Sequence, residues 1–105
     1  MKRKRVVPRA RANQDVEEAI AYYVAEDAAE AALGFIDALE EAYVHLARHP
    51  ATGSPRFAHD LGIPELRAWQ VTRYPHLVFY VERDDRVDVW RVLHGQRDIP
   101  ASFLV

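Results

Sequence analysis

The chain has 105 residues and a mass of 12.1 kDa, which is enough for one domain spanning residues 1–105 with a real but modest core. Its 50% hydrophobic and 29% charged residues and net charge of -2 are those of a folded globular protein and exclude disorder, while the absence of cysteine excludes disulfides, thiol catalysis and thiolate metal sites. No apolar run approaches the roughly 20 residues of a membrane span, and Val6-Val7 behind Met1-Lys2-Arg3-Lys4-Arg5 falls short of the apolar core of about 7–15 residues in a secretory signal, so a cytoplasmic protein without a membrane partner is expected.

Lys4 to Val7 has the composition of a short first strand, which Pro8 ends or confines to an edge. The basic cluster Lys2 to Arg5 resembles a nucleic-acid patch, but it is read here as a flexible charged start. Asn13 is placed to N-cap a first helix whose opening turn holds Asp15, Glu17 and Glu18, all suited to the helix dipole. Ala12, Val16, Ala19, Ile20 and Tyr23 fall at helical spacing and carry that helix from 13 to about 25. Asp27 with Glu30 three residues on reads as a capping box for a second helix. Its apolar stripe is Ala32, Phe35/Ile36, Leu39, Ala42/Tyr43 and Leu46, and Pro50 and Gly53 stop it. The two helices are nearly contiguous, so an antiparallel hairpin is expected.

Ala51 to Pro64 reads as a loop without a motif. Beyond it the periodicity changes to that of strands, at Leu66–Val71, Leu77–Val81 and Val87–Leu93. Tyr74-Pro75 and Asp84-Asp85-Arg86 are the turns, and such short connections make an antiparallel meander. The expected fold is α+β, in the order β-α-α-β-β-β, with the helical hairpin packed on one face of a small, mainly antiparallel twisted sheet and the other face partly open. Charge follows the same division. Residues 12–49 hold nine acids against Arg48 alone, whereas from Arg56 onward seven arginines face seven acids. This distribution argues against wrapping nucleic acid around the whole domain.

Most motifs that could carry chemistry fall to simpler readings. His45 and His49 have the i, i+4 spacing of a zinc pair, but no His-Glu-x-x-His pattern or evident third ligand accompanies them, and histidines suit a helix C-terminus. No metal and no cofactor is expected. Glu17-Glu18 and Glu40-Glu41 are adjacent on helices and so do not face each other, which suits a solvated face. Ser54 and Ser102 have no triad around them. More informative are Arg67, Arg73, Arg91 and Arg97, spread over the sheet and its exits with His76, Tyr80 and His94 interleaved. They read either as surface arginines, with an Arg97–Asp98 pair pinning the tail, or as a cationic face for phosphate or carboxylate. On the last strand, either Trp90 and Val92 face the helices and Arg91 points outward, or Val89 and Leu93 face inward and take Arg91 with them. The second arrangement needs a buried acid beside Arg91, and the first is the expectation.

The element order, the short loop from His49-Pro50 to Gly53, the strand Tyr74-Pro75-His76-Leu77-Val78-Phe79-Tyr80 and the ending Arg91-Val92-Leu93-His94-Gly95-Gln96-Arg97-Asp98 together resemble the ParE branch of the RelE/ParE toxin superfamily. The resemblance runs over nearly the whole chain, and Asp15 and the strand opening Leu66-Arg67 also sit where the family has them. It implies the toxin of a type II toxin–antitoxin module, neutralised by a cognate ParD-like antitoxin that wraps it with a helix and an extended segment. An open sheet face and an edge strand would accept such a segment, and the arginines would pair with an acidic tail. ParE-like members are associated with poisoning DNA gyrase, and RelE-like members with cutting messenger RNA on the ribosome.

Metal-free RNA cleavage needs cations for the phosphorane-like charge and an acid/base pair to move protons. The RelE-like pattern has lysines on the second strand, arginines on the third and past the last, and a C-terminal Tyr. Here no lysine follows Lys4; Ala68 and Gln70 lie near the lysine positions, His76 near the first arginine and Phe103 near the tyrosine, while Arg97 matches the Gly-x-Arg arginine. The expectation is therefore a toxin with no catalytic residues that binds DNA gyrase, without direct sequence-specific binding of nucleic acid. Arg67, Arg73, His76, Tyr80, Arg91, His94 and Arg97 are its candidate target- or antitoxin-binding residues. The alternatives are a ribosome-dependent endoribonuclease of the RelE type using His94 or His76 with Arg91 and Arg97, and a degenerate member retaining only antitoxin binding.

Overall fold

Pro8, which cannot continue a ladder, separates the first strand from the first helix, and Asp27 in the left-handed region (φ 56°) turns that helix back into the second. The computed structural model describes residues 3–103; Met1 and Lys2 of the basic start, and residues 104–105, lie outside them. The elements are β1 (Arg5–Pro8), α1 (Ala10–Ala25), α2 (Ala29–Arg48), a 3-10 turn (Pro50–Thr52), α3 (Ala58–Leu61), β2 (Leu66–Gln70), β3 (His76–Glu82), β4 (Arg86–His94) and α4 (Ile99–Phe103). This is the expected α+β order with two short helices added.

Both helix starts differ from expectation. α1 begins at Ala10, and its cap is extended Arg9 with no side-chain hydrogen bond, so Asn13 lies inside the first turn, its N–H donating to the Arg9 carbonyl at 3.1 Å. Asp27 does not cap α2. Only three residues, Glu26 to Ala28, join the helices, and the reversal is closed by backbone bonds from Asp27 to Val24 (3.1 Å) and from Ala28 to Tyr23 (2.8 Å). In this tight link Asp27 contributes its tolerance of positive φ rather than its carboxylate.

The strand order is β1-β4-β3-β2. β1 runs parallel to β4, from Arg5 opposite Arg86 to Pro8 opposite Val89, and the other pairs are antiparallel. A bulge interrupts β3–β4: Tyr80 faces Val89 and Phe79 faces Arg91, so Trp90 is the extra residue. This irregularity resets the alternation of β4. Val87, Val89 and Val92 face the helical hairpin, where they pack with Phe35, Leu39, Leu46, Val78 and Tyr80. Trp90 packs instead on the opposite face, and Arg91 is buried at 4% exposure, contrary to the expectation of Trp90 inward and Arg91 outward.

The second face is not open. Leu66, Leu77, Phe79, Val81, Leu93 and Ile99 form a second core, onto which Phe57, Leu61 and Ile63 of the proline-rich loop and Phe103 of the tail close. Those apolar residues explain why the segments fold back. The edge is also partly occupied: Ser54 exchanges backbone bonds of 2.8 and 2.9 Å with Ala68 in the middle of β2.

Candidate functional site

β1 stops at Pro8, opposite Val89, so the second half of β4, Trp90 to His94, has no strand on its outer edge among the described residues. α1 crosses there, and Asp15 takes the place of the missing strand. Its Oδ2 accepts the Val92 N–H at 3.0 Å and the Arg91 Nε–H at 2.7 Å, while Oδ1 accepts from Arg91 Nη2 at 2.9 Å. The second arm of the Arg91 guanidinium donates to the Ser102 carbonyl. Here is the buried acid that an inward Arg91 requires. Asp15 was expected to complement the helix dipole, but it lies in register with Ala12 and Ala19 on the buried stripe of α1. That register is the signal in the sequence that could have identified it.

Beyond this pair, α1 and the ends of β3 and β4 enclose a groove of about 430 Å³. Glu18, Ala19, Tyr22 and Tyr23 form its helical wall; His76, Val92, His94 and Arg97 form the opposite side. His76 and His94 are registered partners across β3 and β4, with ring centroids 5.5 Å apart. The His76 ring also lies 4.7 Å from that of Phe35, is 7% exposed, and leaves Nδ1 buried without a hydrogen-bond partner. Burial first, then the nearby His94 and Arg97, push its pKa down to about 4. Nδ1 of His94 accepts the Gln96 N–H at 3.1 Å, which leaves Nε2 to carry the proton when the ring is neutral. Arg97 is exposed at the mouth of the groove.

The Arg97–Asp98 pair, one of the two readings of the arginines, is not formed. Asp98 instead starts α4: its Oδ1 accepts the Ala101 N–H at 3.3 Å and its carbonyl accepts the Ser102 hydroxyl at 2.9 Å. Arg91, Arg9 and Arg83 by contrast all meet carboxylates, the last two at the buried Asp88, which also accepts from the Trp90 indole at 3.0 Å. Burial alone would raise the Asp88 pKa, but the hydrogen bonds from Arg9, Trp90 and Arg83 hold it below the usual carboxylate range.

The seven candidate residues therefore divide. His76, His94 and Arg97 share the groove, with Arg91 behind its Asp15 wall. Arg67 and Tyr80 point to the 3-10 turn: Arg67 Nη1 donates to the Gly53 carbonyl at 2.7 Å, and the Tyr80 hydroxyl donates to the Pro50 carbonyl at 2.6 Å and accepts the Gly53 N–H at 2.9 Å. Arg73 is exposed in the β2–β3 turn at φ 71°. The sequence reading did not single out Tyr22, which is 62% exposed at the groove lip, and it placed Glu18 on a solvated face. His45 and His49 approach to 5.3 Å, but His45 is stacked on Trp69 at 4.2 Å and its Nε2 bonds the Thr52 hydroxyl at 2.9 Å.

Comparison with known proteins agrees with this architecture. Residues 6–99 match the family described as the ParE toxin of the type II toxin–antitoxin system parDE. The fold is similar to a solved chain of the chromosomal ParDE TA system from P. aeruginosa, with a TM-score of 0.73 and 17% identity over 89% of this chain and 97% of that one. No curated protein matches the sequence. With the family match extending from β1 to the start of α4 over the fold just described, the chain belongs to the ParE toxin family of type II toxin–antitoxin systems.

Proposed function

We propose that this toxin acts in the cytoplasm as a single domain, by binding a protein target, DNA gyrase, and that a cognate ParD-like antitoxin neutralises it. Family membership supports the module, and the likeness to a ParDE TA system supports the antitoxin. The observation that favours binding over catalysis is the commitment of Arg91. Its guanidinium donates to Asp15 along one edge and to the Ser102 carbonyl from its other arm, so the Arg91 charge that could neutralise a phosphorane is already paired. Phe103, near the tyrosine position of the RelE-like pattern, packs on Phe79 with ring centroids 5.3 Å apart. Induced alone, the protein should arrest growth and switch on the SOS response, and purified protein should block supercoiling by gyrase. Arrest without SOS induction, together with untouched supercoiling, overturns the gyrase reading.

One arrangement favours a second reading, an endoribonuclease. His76 and His94 face each other beside Arg97 in one groove. There, one imidazole would take the 2′-OH proton as that oxygen attacks phosphorus, and the other would protonate the departing 5′-oxygen. Primer extension distinguishes the two. New breaks within translated messages that vanish in His94→Ala establish the nuclease.

A further inference from the structure

The buried carboxylates of the described residues, Asp15 and Asp88, are each shared by two arginines. Asp88 is met by Arg9 at 2.9 Å and by Arg83 at 3.2 Å, and Asp15 by Arg91 at 2.7 Å with Arg11 at 4.0 Å. One carboxylate cannot neutralise two guanidiniums, so positive charge is left over at both places. It lies on the side chains that reach solvent, since those of Arg9, Arg11 and Arg83 are each more than a third exposed. Arg5 adds to them: it reaches Asp85 only at 3.9 Å, while Arg86 holds that acid at 2.9 Å. The basic start, expected to be flexible, is fixed from Lys4 on, which donates to Glu82 at 2.8 Å and to the Arg83 carbonyl at 2.6 Å. Arg5, Arg9 and Arg11 thus follow the chain from β1 into the first turn of α1, with Arg83 joined to the row through Asp88. We infer that this row is a docking surface for the phosphate backbone of duplex DNA, bound without regard to sequence.

Asp88 organises the row. Arg9 donates to it from Nε at 3.0 Å and Nη2 at 2.9 Å, and Arg83 from the same two atoms at 3.3 and 3.2 Å, which leaves Nη1 of each for an outside acceptor. Guanidiniums already held in place lose less freedom on binding. A protein partner would call for apolar anchors. The large apolar side chains that the described residues expose lie elsewhere, Tyr22 and Val24 at the far end of α1 and Leu33 and Val44 on α2. A single strand would call for an aromatic face on which to stack its bases. Trp90, the aromatic residue beside these arginines, carries Arg9 over its ring at 4.0 Å and packs on the second core. Repeated phosphates of a duplex fit what is left. The acids set the limits of the surface: Asp84 and Asp85 close the row at the β3–β4 turn, and the nine acids of residues 12–49 repel a duplex from the helical hairpin. The inference goes beyond the gyrase reading and does not require that target.

The test is fluorescence anisotropy of a short labelled DNA duplex of mixed sequence, titrated with the purified full-length protein and no gyrase. Binding should saturate with a Kd on the order of 10⁻⁵ M at physiological salt. Phosphate contacts from Arg5, Arg9, Arg11 and Arg83 should give a log–log salt slope of about -3.6, a loss of roughly 100-fold between about 50 and 200 mM salt. Arg5→Gln with Arg11→Gln leaves the bonds from Arg9 and Arg83 to Asp88 in place and should halve the slope to about -1.8. Arg56→Gln, in the loop that borders β2 at the opposite edge of the sheet, should leave the slope unchanged. Absence of saturable binding, or a slope that the double variant does not lower, overturns the proposal. So does an Arg56→Gln protein whose slope falls as far as that of the double variant. Tighter binding of a single strand of the same sequence than of the duplex overturns it as well. Gyrase inhibition lost with DNA binding intact would remove the target alone, and DNA binding lost with gyrase inhibited would remove the row alone.

Discussion

Asp15 and Arg91 are separated by 76 residues in the chain and meet as a bidentate pair, at 2.7 and 2.9 Å, with side chains 2% and 5% exposed. The hydrogen bonds that Arg91 donates to Asp15, opposed by burial and aided by the carboxylate's charge, hold the Arg91 guanidinium pKa above its ordinary value. Because Asp15 also accepts the Val92 N–H, one carboxylate both neutralises a buried cation and completes a sheet edge.

Removing that carboxylate strands a buried charge. Asp15→Asn should destabilise the fold by about 3–5 kcal/mol, the usual consequence of breaking a buried pair from one side. The double variant Asp15→Leu with Arg91→Met should recover a large part of the loss, because neither charge then remains. Urea unfolding of the three proteins measures both effects. A single variant within about 1 kcal/mol of the parent would show that solvent reaches the pair.

His76 should make the fold sensitive to mild acid. Its pKa is pushed from an ordinary 6.5 to about 4, so between those values the unfolded chain binds a proton that the folded ring refuses. Its contribution is complete above pH 6.5 and is lost as pH falls toward 4, by at most about 3 kcal/mol. His76→Phe should flatten this part of the profile while leaving the acid response of the carboxylates. Parallel slopes in parent and variant between pH 6.5 and 4 would disprove the assignment.

The Tyr80 hydroxyl closes the turn after α2. Tyr80→Phe leaves the Pro50 carbonyl and the Gly53 N–H without their partner, which should cost about 1–3 kcal/mol. Hydrogen exchange at Gly53 should accelerate more than at core residues such as Val78. Gly53→Ala should perturb the same contact from the other side, because an added Cβ would lie 2.9 Å from the Tyr80 ring carbons.

Phe103→Tyr restores a hydroxyl near the tyrosine position of the RNA-cutting relatives, yet it should not confer cleavage. The ring packs edge-on to Phe79 in the second core, and Arg91 remains bound to Asp15. Primer extension on messages from induced cells checks this, and new cleavage sites in the variant would contradict it.

The helical stripe of α2, the meander and the order of elements were legible because each depends on local periodicity. Arg91 was misdirected because strict alternation fails at a bulge, and nothing in Val89-Trp90-Arg91-Val92 announces the extra residue. The closure of the second face was hidden for a similar reason: Phe57, Leu61, Ile63 and Phe103 are scattered through segments without a strong period. Of the groove, the sequence showed His76, His94 and Arg97 as polar interruptions of apolar strands. It did not show that α1 brings Glu18 and Tyr22 against them, since that pairing depends on where β1 ends.

The parallel pairing of β1 with β4 bears on synthesis. β1 is made first, and its strand partner is the last strand to be translated. At roughly 5–20 residues per second, the interval of 76 residues between Asp15 and Arg91 takes on the order of 4 to 15 seconds. Throughout it the sheet lacks the strand that joins its two halves, and Asp15 has no arginine to meet. The groove comes into existence only when β4 arrives, so a ribosome still translating this message carries a chain in which α1 has nothing yet to close against.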